Sequence, residues 1–389
     1  MWATFPIFFE PLLAEFGWTR AATSGAFSLY LIVTALLGVV MGRLNDRVGP
    51  RIIATICGLS FGLGYVLTSQ IGAIWQLYLF YGVMLGTGLS GYIAINSTIA
   101  RWFAKRRGLM CGIVSSGSSA GLVLIPAPAT WLLSTYGWRN SYITIGIITM
   151  VLITASAQWL RRDPSQKGLS AYGESEAKEE PLNLQVSGLS FREAIRTRQL
   201  WMFCTIIIFL FACYSSILTH IVIHATGLGI PVASAANILV IVGAVGIPGG
   251  IIVGIAVDRI GGRVALSIVG ILVLSSSVLL LAAKELWQFY LFAVVFGFTY
   301  GGLWALTTLI VAEIFGLRAH GAILGFAIFI GLMGEATGPT LSGHIFDVTG
   351  SYQLVFSISI VISTISIVFS LLLKPISSEH QRNKTSFAT

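Results

Sequence analysis

Residues 42–51 read GRLNDRVGPR, and half the chain later residues 254–263 read GIAVDRIGGR. Both fit G-x-x-x-D-R-x-G-x-R, and each lies between two long apolar segments. Other landmarks return at nearly the same offset. Gly108 and Gly112, after RWFAKR, recur as Gly321 and Gly325 after IFGLRAH, and Tyr136-Gly137 is matched by Thr349-Gly350. Self-similarity at half the chain length marks a duplicated unit, and the flanking apolar segments make that unit a membrane bundle.

Composition agrees. Of the 389 residues 10% are charged and 56% hydrophobic, with a mean hydropathy of +0.87. A soluble chain carries about 25% charged residues, so this one cannot cover a water-facing surface. The net charge of +8 does not point to nucleic acid, because the basic residues form no patch beside stacking aromatics. Cys57, Cys111, Cys204 and Cys213 all fall in apolar segments without C-x-x-C spacing and read as small core residues. Walker A and H-E-x-x-H patterns do not occur, nor does any Cys/His cluster with metal spacing; the two G-x-S-x-G matches, GLSFG at 58–62 and GSSAG at 117–121, lie inside apolar segments and not at the strand-to-helix turn that a nucleophile elbow needs. The expectation is a protein that is not an enzyme, has no cofactor or metal, and draws on an ion or substrate gradient.

Working outward from the two turns, apolar segments run over 21–41, 52–69, 74–100, 108–134, 138–160, 200–224, 231–257, 264–283, 287–315, 322–346 and 352–373. Each is long enough to span. Before them, the stretch MWATFPIFFEPLLAEF supplies 16 residues, a rise of about 24 Å against a bilayer core of roughly 30 Å. It reads as the outer part of a first span that is cut short at its beginning. Twelve spans result, divided six and six by the polar segment 161–198. The domains expected are an N-terminal half 1–160, a cytoplasmic linker 161–198, a C-terminal half 199–374 and a tail 375–389. The linker's middle, 174–180, is acidic and flexible in composition, and SFREAIRTRQLW at its end suits a short helix on the membrane surface.

Basic residues orient the bundle. With the N-terminus inside, the inner loops and tail hold all the Lys and Arg except Arg20, Arg139 and Lys284. That bias puts both termini in the cytoplasm of a multi-pass inner-membrane protein, with the lipid bilayer as its surroundings and a monomer as the working unit.

Two six-helix halves, a long central loop and a D-R-x-G turn after the second helix of each half resemble the major facilitator superfamily of secondary transporters. FFEPLLAEFGWTRAATSGAFSLY, RWFAKRRGLMCGI, TYGWRNSY, AEIFG and GHIFDVTGSY are similar to its monocarboxylate and oxalate/formate branch. The resemblance implies a twelve-helix all-α bundle of two pseudo-symmetric halves, working by alternating access. It implies conformational gating at Gly42, Asp46, Arg47 and Gly49 and at Gly254, Asp258, Arg259 and Gly261, with each aspartate capping a neighbouring helix and meeting an arginine. A carboxylate suits a helix N-terminus, where the dipole is positive.

Ionisable groups within spans cost roughly 3 kcal/mol on insertion scales, and Glu335 is the one deepest inside a span. The functional reading is a proton-coupling or substrate site, since desolvation disfavours its ionised form; the plainer reading is a hydrogen-bonded structural carboxyl. His220, in the outer third of the seventh span, is a second proton-coupling candidate or else a satisfied interfacial residue. Tyr30, Tyr92, Tyr300 and Trp304, near mid-depth, and Asn96, nearer the cytoplasm, are substrate-cavity candidates; the tyrosines stand on the second, fourth and tenth helices, which border the cavity in the family it resembles. Packing is the alternative for each aromatic. The same branch commonly has an arginine four residues before the glycine opening its second turn, and here that position is Gly250. No permanent positive charge is then expected in the cavity, and a fully ionised dicarboxylate suits it poorly. The reading is a carrier of a small organic metabolite, a monocarboxylic acid, coupled to the proton by symport or antiport. The alternative is an efflux antiporter for neutral or cationic lipophilic compounds.

Overall fold

The computed structural model describes residues 4–173 and 188–373. The acidic middle of the linker, 174–180, and the tail 375–389 lie outside the described residues. In chain order the helices are α1 Phe5–Phe16, α2 Arg20–Val48, α3 Pro50–Thr68 and α4 Ile74–Trp102, then α5, which runs over Arg107–Leu124 and on from Pro126. The backbone breaks at Gly137 (φ 73°, ψ 169°), and α6 covers 138–157. The second half holds α7 Arg198–Gly227, α8 Val232–Ile260, α9 Gly262–Ala282, α10 Leu286–Phe315, α11 His320–Thr349 and α12 Gln353–Leu372. Among the described residues ten helices are long and apolar enough to cross a membrane, the run Pro126–Ala157 counting as one. The chain is an all-α membrane bundle of twelve helices. Helix α1, with 12 residues, rises only about 18 Å.

Apolar side chains face outward as well as inward, which is how a bilayer-embedded bundle differs from a soluble one. Leu36, Ile56, Ile271 and Leu371 are each about half exposed, on surfaces that lipid covers. Local structure follows the sequence signals. Thr19 caps α2 by accepting from the Ala22 N–H at 3.2 Å. Each repeated turn closes on a glycine at positive φ, Gly49 at 95° and Gly261 at 81°, a conformation a side chain would strain. Proline at Pro50 then starts α3 where no N–H is needed.

Helix α2 packs along α11, and α5 along α8. Both contacts are backbone to backbone at the end that carries the turns. A Cβ added to Gly42 would collide with the carbonyl of Gly321, and one added to Gly254 with the carbonyl of Gly108. Gly325 meets Gly38, and Gly112 meets Gly250, in the same way. The small residues of α5 and α11 therefore close this end by direct approach of helices. Gly254→Val should wedge α5 from α8. Overpacking of this kind costs about 1–3 kcal/mol, enough to raise the opened population about tenfold. Labelling of Cys111, fully buried beside this contact, by a maleimide should rise by that factor; an unchanged labelling rate would show that the contact has slack.

The linker is joined to both halves at its ends. Tyr172 donates its N–H to the carbonyl of Trp102 at 2.9 Å, and the Leu189 N–H donates to Phe315 at 3.0 Å. The expected surface helix is one turn, Phe191–Ala194, with a Ser190–Glu193 capping box. Its Phe191 ring lies 4.5 Å beneath the guanidinium of Arg43.

Candidate functional site

Between the closed end and the opposite face lies a two-lobed cavity. One lobe, of about 260 Å³, is bounded by Tyr30, Tyr92, Gly117, Gly121, Trp304 and Glu335. The other, of about 510 Å³, is bounded by Phe27, Phe211, Tyr214, Tyr300, Trp304 and Glu335. Glu335, Tyr300, Trp304 and Leu122 belong to both lobes. Position along each helix puts the cavity beyond the closure. On α2, Tyr30 and Thr34 precede Gly38 and Gly42; on α11, Glu335 follows Gly321 and Gly325; on α5, Gly117 and Gly121 follow Gly108 and Gly112.

Among the described lining residues Glu335 is the one acidic side chain, and no Lys, Arg or His is present. Among the described residues its Oε2 has no hydrogen-bond partner, and neither has the hydroxyl of Tyr30, a side chain with no exposed surface. Tyr30 lines the smaller lobe with Glu335, and Tyr300 lines both lobes with it. Aromatic rings frame the rest. Trp304 packs edge-on against Tyr92 at 5.3 Å and against Phe211 at 4.9 Å between centroids. Tyr92 also shares a 3.3 Å hydrogen bond with Ser115. At Gly250 a Cβ would sit 2.7 Å from the Ser116 hydroxyl oxygen and 2.9 Å from the Gly301 carbonyl oxygen, so no side chain is accommodated there.

Two of the expected residues stand elsewhere. Asn96 is fully buried one turn past Tyr92, outside the lining, with Nδ2 donating to the Tyr92 carbonyl at 3.0 Å. It shares Tyr92's face of α4 but sits deeper, in the closing layer. His220 does not line either lobe. Its Nε2 lies 3.0 Å from the Pro339 carbonyl, which can only accept, so Nε2 carries the proton and Nδ1 accepts from the Tyr352 hydroxyl at 2.9 Å. His220 thus bridges α7, α11 and the start of α12. His220→Ala should cost about 1–3 kcal/mol through two lost hydrogen bonds, read as a lower melting temperature with an unaltered pH profile of transport. A shifted pH profile would return His220 to the coupling machinery.

Conversely, Phe211, Tyr214, Gly117 and Gly121 line the cavity without having been singled out for it. The two glycines differ from their neighbours on α5, since a Cβ added to either meets nothing within 4 Å. Spacing alone makes all four α5 glycines look like packing residues.

At the closed end Asp46 accepts from the Ala322 N–H at 3.2 Å, at the start of α11, and pairs with Arg101 at 3.1 Å. Arg101, buried in the last turn of α4, also reaches Asp163 at 3.4 Å and the Leu317 carbonyl at 3.1 Å. Asp258 accepts from the N–H groups of Gly108 and Leu109 at 2.6 and 2.9 Å, at the start of α5. Among the described residues it has no ion-pair partner. On α10, the counterpart of α4, the charged residue of the last turn is Glu313, which accepts from the Gly262 N–H at 2.8 Å. The two halves are therefore wired differently at the same place.

The family model for the Major Facilitator Superfamily matches residues 1–278 and 238–389. The chain belongs to the major facilitator superfamily. Its relatives include the uncharacterised MFS-type transporter YhjX of Escherichia coli, 26% identical over 338 residues, covering 84% of this chain and 80% of that protein. Monocarboxylate transporter 13 of Rattus norvegicus is 25% identical over 359 residues, 92% of this chain and 81% of that one. In three dimensions the chain is similar to the fucose:proton symporter FucP of Escherichia coli, with a TM-score of 0.72 at 14% identity over 96% of each chain. That likeness shows the fold. The chain is a multi-pass membrane transporter of this superfamily.

Proposed function

We propose that the chain is a proton-coupled carrier of a small organic metabolite, a monocarboxylic acid, working by alternating access in the inner membrane. The two six-helix units, 1–160 and 199–374, rock about the cavity, joined by 161–198, with the repeated turns and both termini on the cytoplasmic side. The observation that carries this reading is Glu335, which lines both lobes and whose Oε2 has no hydrogen-bond partner among the described residues. A cavity without a basic side chain cannot neutralise a carboxylate by ion pairing. A protonated Glu335 can donate to it instead, with the Tyr30 and Tyr300 hydroxyls as further donors. Acid anion and proton then load together, so the loaded carrier has the same charge as the empty one with Glu335 ionised, and a full cycle moves no net charge. The relatives named for monocarboxylates favour the same class. Radiolabelled uptake of monocarboxylic acids into proteoliposomes tests it: an inward proton gradient should drive accumulation, and a protonophore should abolish it. Accumulation indifferent to the gradient would overturn the proposal.

The cavity's charge favours a second reading, exchange of a lipophilic cation for a proton on Glu335. Its signature is efflux of a cationic dye, competed by protons, in vesicles that take up no acid.

A further inference from the structure

Within the reading just proposed, the smaller lobe carries information about the substrate. Gly117 and Gly121 stand one turn apart on the same face of α5, and both line it. The glycines before them are pinned: Gly108 lies against Gly254, and Gly112 against Gly250. At Gly117 and Gly121 an added Cβ meets nothing within 4 Å, so close helix approach does not require glycine at either. Their effect is to leave a flat strip of backbone open to the cavity. The Trp304 and Tyr92 rings, set edge to face, line the same lobe, and the buried Tyr30 hydroxyl, without a hydrogen-bond partner among the described residues, calls for a polar group there. The lobe holds about 260 Å³ and opens at Glu335 into the larger space of about 510 Å³. A two- or three-carbon acid would leave most of this apolar volume unfilled.

We propose that the lobe over Gly117 and Gly121 receives the apolar body of the substrate, and that the carried acids are arylcarboxylic ones, with the ring against the glycine strip and the carboxyl at Glu335 and Tyr30. Planar rings suit a lobe walled by open backbone and aromatic side chains. The inference rests on proton-coupled acid transport as proposed above, and the experiment separates the two.

The probes are labelled 3-phenylpropionate and lactate, with the full chain in proteoliposomes. In Gly121→Leu and Gly117→Leu the KM for 3-phenylpropionate should rise about tenfold or more, while that for lactate stays within about twofold, because the leucine fills only the lobe. Gly121→Cys gives a readout that needs no transport. Its maleimide labelling should be slowed by 3-phenylpropionate and not by lactate, against the background of native cysteines that are all buried. Equal loss of both acids in the leucine variants, with no protection of Gly121→Cys, overturns the inference and leaves acid transport standing. A wild type that takes up neither acid overturns both.

Discussion

Glu335→Gln is expected to lower proton-driven uptake about 100-fold, the scale of losing a positioned group that takes up and releases a proton. Exchange of substrate for substrate across the membrane should survive within a few-fold. Glutamine keeps an N–H donor at the same place, so an acid anion can still bind, but it cannot release a proton when the cavity opens to the opposite side. The pH dependence of uptake should flatten for the same reason. Glu335→Leu, which removes the donor as well, should abolish exchange along with uptake. Counterflow and pH-jump uptake on the same reconstituted variants distinguish these outcomes. Wild-type pH dependence in Glu335→Gln would remove this carboxyl from the coupling step. Loss of binding in Glu335→Gln would favour the lipophilic-cation reading instead, since a cation needs the negative charge and an acid anion does not.

Much of the bundle could be read from the chain because membrane helices are specified locally. Hydrophobic length, the turn glycines Gly49 and Gly261, and a repeat offset of half the chain are properties of contiguous sequence. The break between α5 and α6 at Gly137 is signalled by its match to Gly350, which also has positive φ and ends α11. Depth and long-range pairing are harder. Asn96 and Tyr92 share a helix face, and spacing cannot say that one faces the cavity while the other is sealed in the closing layer. His220 finds its partners 119 and 132 residues away, at separations no periodicity encodes. Arg101 reads as one of several loop cations in RWFAKRR, yet it is 7% exposed and joins α2, the linker and the α10–α11 turn. The last turn of α10 carries an acid, Glu313, where the last turn of α4 carries Arg101. What each does requires the tertiary partners.

That asymmetry sets the second large effect. Arg101→Ala should slow transport most among variants at the closed end, ahead of Asp46→Asn and then Asp258→Asn. Removing Arg101 leaves the Asp46 carboxylate, 13% exposed, with backbone N–H at the start of α11 and no cation. Breaking a buried pair by deleting one partner costs about 3–5 kcal/mol. The cost falls on the state in which α2 and α11 touch, because Asp46 reaches the Ala322 N–H only there. Such a shift depletes that state by roughly 100-fold or more, and each transport cycle must pass through it. Asp258→Asn loses no ion pair, and its side-chain oxygen can still accept from Gly108 or Leu109, so about 1 kcal/mol is the expected scale for a weakened cap. None of the three residues lines the cavity, so substrate affinity at equilibrium should stay within about twofold while turnover falls, an affinity change of less than about 0.5 kcal/mol. Maleimide labelling of Cys111 should rise in the same order as turnover drops. Normal turnover in Arg101→Ala would mean that the glycine contacts alone hold the end shut, and a changed affinity with unchanged Cys111 labelling would mean that the pair acts on the cavity and not on the closure.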